Sequence, residues 1–132
     1  MYYRVREGPI TANNSMTALT TLYGISTSAS IQVPANSSAI VGIIVSVATD
    51  SASNGATTFG VQLSGDGLSQ GQETLTVGAQ GVDGTPASNG SVDLPFSLSV
   101  AIPVVGSNQI SVAGAMSEDV GSAEMSVTLV FS

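Results

Sequence analysis

The chain has no cysteine, no histidine, no tryptophan and no lysine. Each absence removes a class of function. Without cysteine there is no disulfide framework and no thiolate metal site. Without histidine the side chain most used as a general base is missing, and a serine triad lacks its imidazole. Without lysine there is no amine nucleophile, and the cations reduce to Arg4 and Arg6 against nine acidic residues, a formal net charge of −7. Binding a phosphate backbone needs several Lys or Arg to displace counterions, so direct nucleic-acid binding is not expected. Long apolar runs are missing too. The longest, around residues 39–45, is too short to span a bilayer, which takes about 20 residues. No charged segment followed by an apolar one opens the chain. Either a leader has been removed and replaced by Met1, or no secretory route is used.

What remains is a surface built from Ser, Thr, Asn, Gln and Gly, and a set of alternating apolar segments. The chain is organised around residues 39–49. With a period of two, Val41, Ile43, Val45 and Val47 share one face, and Ile40, Gly42, Ile44, Ser46 and Ala48 share the other. The first face is β-branched and apolar throughout, which suits a pleated, buried strand.

Other segments read as strands packing on this one. Tyr2 to Arg6 alternates weakly, with Tyr3 and Val5 on one face, and Gly8-Pro9 is expected to end it. Residues 15–23 admit a short capped helix, but Thr17, Thr20 and Thr21 favour a strand. Ile31 and Val33 mark a short strand closed by the turn Pro34-Ala35-Asn36-Ser37. Residues 57–64 and 72–77 alternate on either side of Gly65-Asp66-Gly67. Residues 78–90 are expected to form an exposed loop. Residues 92–102, 109–116 and 124–131 complete the set, with Pro95 and Pro103 placing the first of these at an edge or a bend.

The pattern predicts an all-β protein: one domain over residues 1–132, an antiparallel two-sheet β-sandwich of eight or nine strands. A chain of this size buries roughly two-thirds of its unfolded surface, enough for a core without staples. A jelly roll is favoured over an immunoglobulin-like sandwich by the strand count and the 78–90 excursion. No fixed-period repeat points to a solenoid or propeller.

Candidate chemistry is sparse, and no catalytic, cofactor or metal residue is assigned. Asp50 and Asp66 are a glycosidase-type pair only in the sense that any two acids are. Serines are abundant, but none is expected to sit in a Gly-x-Ser-x-Gly elbow. Glu118-Asp119 with Asp83 or Asp93 could hold calcium, but the bland reading, acids decorating turns, is preferred. Asn13, Asn36 and Asn89 begin N-glycosylation patterns of the kind that arise by chance in Asn- and Ser-rich sequence. The more telling feature is apolar side chains on solvent-facing positions. Ile40 and Ile44 flank Gly42, and Val130 intrudes similarly on the last strand. Coverage by the chain's own loops and burial between identical subunits are the two readings.

The segments Ile31-Gln32-Val33-Pro34-Ala35-Asn36-Ser37-Ser38 and Met125-Ser126-Val127-Thr128-Leu129-Val130-Phe131, and the strand pattern as a whole, resemble single-jelly-roll viral capsid proteins. The resemblance implies a virion structural protein that self-assembles in many copies with other shell proteins. The basic N-terminal arm of many such coats is absent, so no genome contact is expected. Neither membrane insertion nor a small-molecule substrate is expected. The alternative is a secreted or cell-surface filament or adhesin subunit joined by strand exchange. A carbohydrate-binding module comes third, because sugar platforms usually rely on aromatic faces.

Overall fold

β-branched and alternating segments do become strands. The computed structural model describes residues 2–11, 13–22, 25–26, 30–49, 55–82, 92–117 and 123–132. They form β1 (Tyr2–Pro9), β2 (Thr17–Ala18), β3 (Thr21–Leu22), β4 (Ile25–Ser26), β5 (Ser30–Gln32), β6 (Ala39–Thr49), β7 (Gly55–Ser64), β8 (Gln72–Val82), β9 (Val92–Pro103), β10 (Gln109–Met116) and β11 (Ala123–Phe131). All named ladders are antiparallel. One sheet, sheet A, runs β4-β3-β1-β11-β6-β9. The other, sheet B, runs β2-β10-β7-β8, with β5 also paired to β10. The expected antiparallel two-sheet sandwich is therefore observed, with Thr17–Ala18, Thr21–Leu22, Ile25–Ser26 and Ser30–Gln32 each forming a short strand.

The core lies between the two inner faces. Ile43, Val45 and Val47 of β6 and Met125, Val127, Leu129 and Phe131 of β11 meet Phe59, Val61 and Leu63 of β7 and Ile110 and Val112 of β10. Each such side chain contributes about 1.5–3 kcal/mol by leaving water. The sheets approach closely enough that glycine is needed in places. A Cβ on Gly114 of β10 would sit 2.6 Å from Met125 Sδ and 3.2 Å from Ile10 Cγ2. Because the thioether can swing aside, Gly114→Ala should cost only about 1 kcal/mol. A lower urea midpoint with an unchanged m-value checks this.

Three sequence expectations change. Ile40 is fully buried in the core, not on the outer face. Val41 has no partner in either ladder, because the register shifts between Ile40 and Gly42 against β9 and correspondingly against β11. That bulge inserts one residue, flips the alternation, and turns Ile40 inward opposite Ile102 and Phe131. Second, β8 continues past Val77 to Val82, paired with Gly55–Phe59 of β7, where a loop was expected. Small residues are poor strand formers alone, but a neighbouring strand satisfies their backbone groups. Third, Gly8-Pro9 does not end β1. Both pair with β11, and Pro9 takes the terminal position that a residue without an N–H can occupy.

Candidate assembly surface

The outer face of sheet A follows from register alone, since directly opposed residues share a face. Tyr3 of β1 lies opposite Val130 of β11, Val130 opposite Gly42 of β6, and Gly42 opposite Ser99 of β9. The next outward row is Val5, Thr128, Ile44 and Ser97. Then come Glu7, Ser126, Ser46 and Pro95, and last Pro9, Glu124 and Ala48. The face is thus polarised. Its Tyr3–Ile44 end is apolar and hydroxyl-bearing, and its far end carries carboxylates.

The four residues singled out from sequence separate here. Ile44 is 48% exposed at the middle of the face, and Tyr3, one row along and two strands away on β1, is 57% exposed. Gly42 is half-buried, with open van der Waals distance (3.6 Å) between an added Cβ and Val130. Val130 is 7% exposed and offers little to a partner. Ile40 belongs to the core, for the reason given above. Tyr3 was not among the expected surface residues. No local signal could have found it, because Arg4 and Arg6 alternate with it on β1 and would be expected to take the outward face; only the register with β11 places Tyr3 outside.

Those arginines face inward. Arg6 lies opposite Val127 and is nearly buried. Its Nη1 donates to Val5 O at 2.8 Å and its Nη2 to Ser30 O at 3.0 Å, tying sheet A to β5 of sheet B. Its Nε has no hydrogen-bond partner. Burial holds the guanidinium below the ordinary arginine pKa. Neither cation is presented by the outer face of sheet A, which carries Glu7 and Glu124.

The outer face of sheet B is different again. It presents Ser30, Gln32, Gln62, Ser64, Thr74, Gln109 and Ser111, with no charge and no large apolar group among them. At its edge, a depression of about 360 Å³, open to solvent, lies between the turns after β7 and β9.

The remaining sequence candidates bring no chemistry together. Among the described residues no group of three or more acids could hold a metal. Glu118, Asp119, Asp83 and Asp50 lie outside the described residues. The expectation that no serine has elbow spacing is corrected at one stretch: Gly67-Leu68-Ser69-Gln70-Gly71 has the Gly-x-Ser-x-Gly spacing. Here it forms the turn between two antiparallel strands, not a strand-to-helix turn, and the chain has no imidazole to activate it. No helix among the described residues is long and apolar enough to cross a membrane.

No protein-family model and no curated protein matches the chain. Among solved structures it is similar to a chain of infectious bursal disease virus, Gx strain, at 15% identity and a TM-score of 0.38, covering 98% of this chain and 33% of that one. It is also similar to a carbohydrate-binding module, CBM36, in complex with calcium and xylotriose, at 20% identity and a TM-score of 0.37, covering 96% and 98%. A third is the infectious bursal disease virus VP2 subviral particle, at 12% identity and a TM-score of 0.34. The chain spans about a third of the length of the virus chains it matches. The fold-level resemblance to viral coat proteins thus has a counterpart among solved structures, at low identity and low TM-score.

Proposed function

We propose that the protein is a structural subunit of a virion shell that assembles in many copies through the outer face of sheet A. The observation that carries the reading is Ile44, 48% exposed in the middle of an otherwise ordered four-strand face. A lone exposed isoleucine needs no explanation, but this one follows Gly42 on the same face, and Val5 and the exposed Tyr3 lie two strands away across Thr128 and Val130, so apolar side chains collect at one end of the face. Strand order supports the same reading. With β5 taken as the partner of β10, the main strands run β1-β11-β6-β9 and β5-β10-β7-β8. First pairs with last, and only β7–β8 form a hairpin within one sheet. That order supports a jelly-roll winding, a fold used by viral shells.

The face also suggests how copies meet. Four strands about 4.8 Å apart and four rows about 6.7 Å apart cover about 500 Å². A stable pair needs about 800 Å² per partner. One face contact is therefore weak, and assembly draws on several contacts per subunit. A two-fold axis across the strands, placed at the apolar end, stacks the apolar ends and keeps Glu7 and Glu124 of the two copies apart. An axis along the strands would set acid on acid. The genome is not a partner in this reading. Of the two cations, Arg6 is committed to the inter-sheet contact, and the net charge is −7. No catalytic role is assigned.

The filament reading rests on a different feature, the outer edge of β9, which has no strand beyond it among the described residues. Electron microscopy of the purified protein separates the two. Closed shells, or rings that build them, are expected. Filaments would transfer the reading to strand exchange, and a dispersed monomer at every concentration would end both.

A further inference from the structure

The cavity beside sheet B has a chemistry that the shell reading does not use. Its walls come from β5, β10 and two turns, and the turns are locked before any ligand arrives. Gly65 holds φ 115° and Ser107 φ 72°, both left-handed, and the second is an uncommon conformation for a residue with a side chain. Gly67 N donates to Gln109 O at 2.7 Å, and Val105 N to Gly67 O at 2.8 Å. Ser107 N donates to Val33 O at 2.9 Å, while Gln32 Nε2 donates to Ser107 O at 3.1 Å. Across the turns Asn108 Nδ2 donates to Asp66 O at 3.3 Å. Ser30 Oγ donates to Gln109 Oε1 at 3.1 Å, which aims the Gln109 amide N–H groups away from that bond.

The lining excludes most ligand classes. No cation lines the cavity, and Asp66 stands at its wall, so an anion is repelled. A single carboxylate does not make a divalent-cation site. No large apolar or aromatic side chain lines it, so a greasy ligand gains nothing. What the walls do offer is a dense mixture of donors and acceptors, from hydroxyls, side-chain amides and one carboxylate. A neutral ligand bearing many hydroxyls matches that inventory, since each of its hydroxyls both donates and accepts. The depression is open to solvent, and its volume, about 360 Å³, admits one monosaccharide ring with its other face in water.

We propose that this cavity is a subsite for one ring of a neutral oligosaccharide, held by Asp66, Asn108, Gln109 and Ser111 in a preformed frame. Without an aromatic platform a single site is weak, with Kd on the order of 1 mM. Repeated over an array of copies, such sites gain avidity of about 10²–10⁴. Binding itself does not depend on assembly.

The test is an amide chemical-shift titration of the Ile44→Asp protein, designed to stay monomeric, with maltohexaose, cellohexaose and lacto-N-tetraose at millimolar concentration. Sialyllactose is the charged comparison. At least one neutral glycan should shift amides at Asp66, Asn108, Gln109 and Ser111. Gln109→Ala, exposed and outside the core, should weaken that binding at least tenfold, about the effect of losing one or two hydrogen bonds, with the melting temperature unchanged. Asn108→Ala serves equally if Gln109→Ala proves unstable. Gln62→Ala, on the same face away from the cavity, should bind as the parent does. The proposal is overturned if no neutral glycan shifts these amides, if sialyllactose does so as strongly, or if the shifts survive both cavity substitutions. Should the unsubstituted protein itself be monomeric, the same titration runs on it. In that case the shell reading fails and this one is still judged on its own result.

Discussion

Ile43→Asp should give a chain that does not fold, while Ile44→Asp, one residue along the same strand, should fold and remain monomeric. Ile43 is fully buried, flanked by Leu129 on β11 and Leu98 on β9. A carboxylate there has no cation and no donor. Burying an unpaired charge costs several kcal/mol even after relaxation, and the lost isoleucine packing adds about 2–5 more. That sum matches or exceeds the whole stability of an ordinary domain, about 5–15 kcal/mol. Ile44 sits between Thr128 and Ser97 and is already half in water. Removing it forfeits about 1 kcal/mol of burial, and the poorer strand propensity of aspartate at most about 1 more. The fold survives that. The contact between copies does not, because the new charge lies at the apolar end and adds to a net −7. Near-ultraviolet circular dichroism reads the fold, and sedimentation reads the assembly. Equal unfolding of both variants would mean the outer face is covered by the chain itself. Two folded variants would mean the register is wrong.

The contrast between those neighbours was readable from sequence because alternation is a local property. Ile43, Val45 and Val47 fall inward, and Ile44 outward, wherever a strand is straight. The same logic misplaced Ile40, since the one compositional hint of a bulge at Val41, the adjacent Gly42, says neither that a bulge forms nor where the alternation flips. A bulge is fixed by what two flanking strands require, and here both β9 and β11 shift register at that point. Residues 78–82 were missed for the converse reason. Gly78, Ala79 and Gly81 carry little strand preference of their own, and they extend β8 only because β7 has open partners. Tyr3 and Arg6 show a further limit. Apolar and charged residues alternate on β1, and composition would send the arginines to water. Only the pairing with β11 reveals that Arg6 turns inward to reach Ser30 O. The sheet B cavity is built from two turns distant in sequence, so nothing in the local pattern announces it. Fold class is a sum over many local signals, whereas a site depends on a few long-range coincidences.

Gly78→Val should destabilise the protein by about 1–3 kcal/mol, even though valine is the better strand former. Gly78 lies on β8 opposite Phe59, and the ring of Phe96 from β9 occupies the space a side chain would need. A Cβ there would come within 2.5 Å of Phe96 Cδ1 and 2.6 Å of Cε1. Phe96 in turn packs on Phe59, with ring centroids 5.6 Å apart and planes tilted by 46°. The three residues close the side of the sandwich where the edge strands of the two sheets meet. Strand propensity favours valine by at most about 1 kcal/mol. Overpacking costs about 1–3 kcal/mol and also displaces an aromatic pair worth about 0.5–1.5. The steric cost wins. The cause is checked by a double-mutant cycle, since residues in contact couple and distant ones add. Phe96→Leu alone should also destabilise, because it removes the ring from Phe59. Combined with Gly78→Val it should recover part of the loss, as the smaller side chain vacates the space the valine takes. Chemical denaturation of the four proteins gives the coupling. Strict additivity would show that Phe96 is not what keeps position 78 a glycine, and that the close approach of β8 and β9 is not what seals this side of the core.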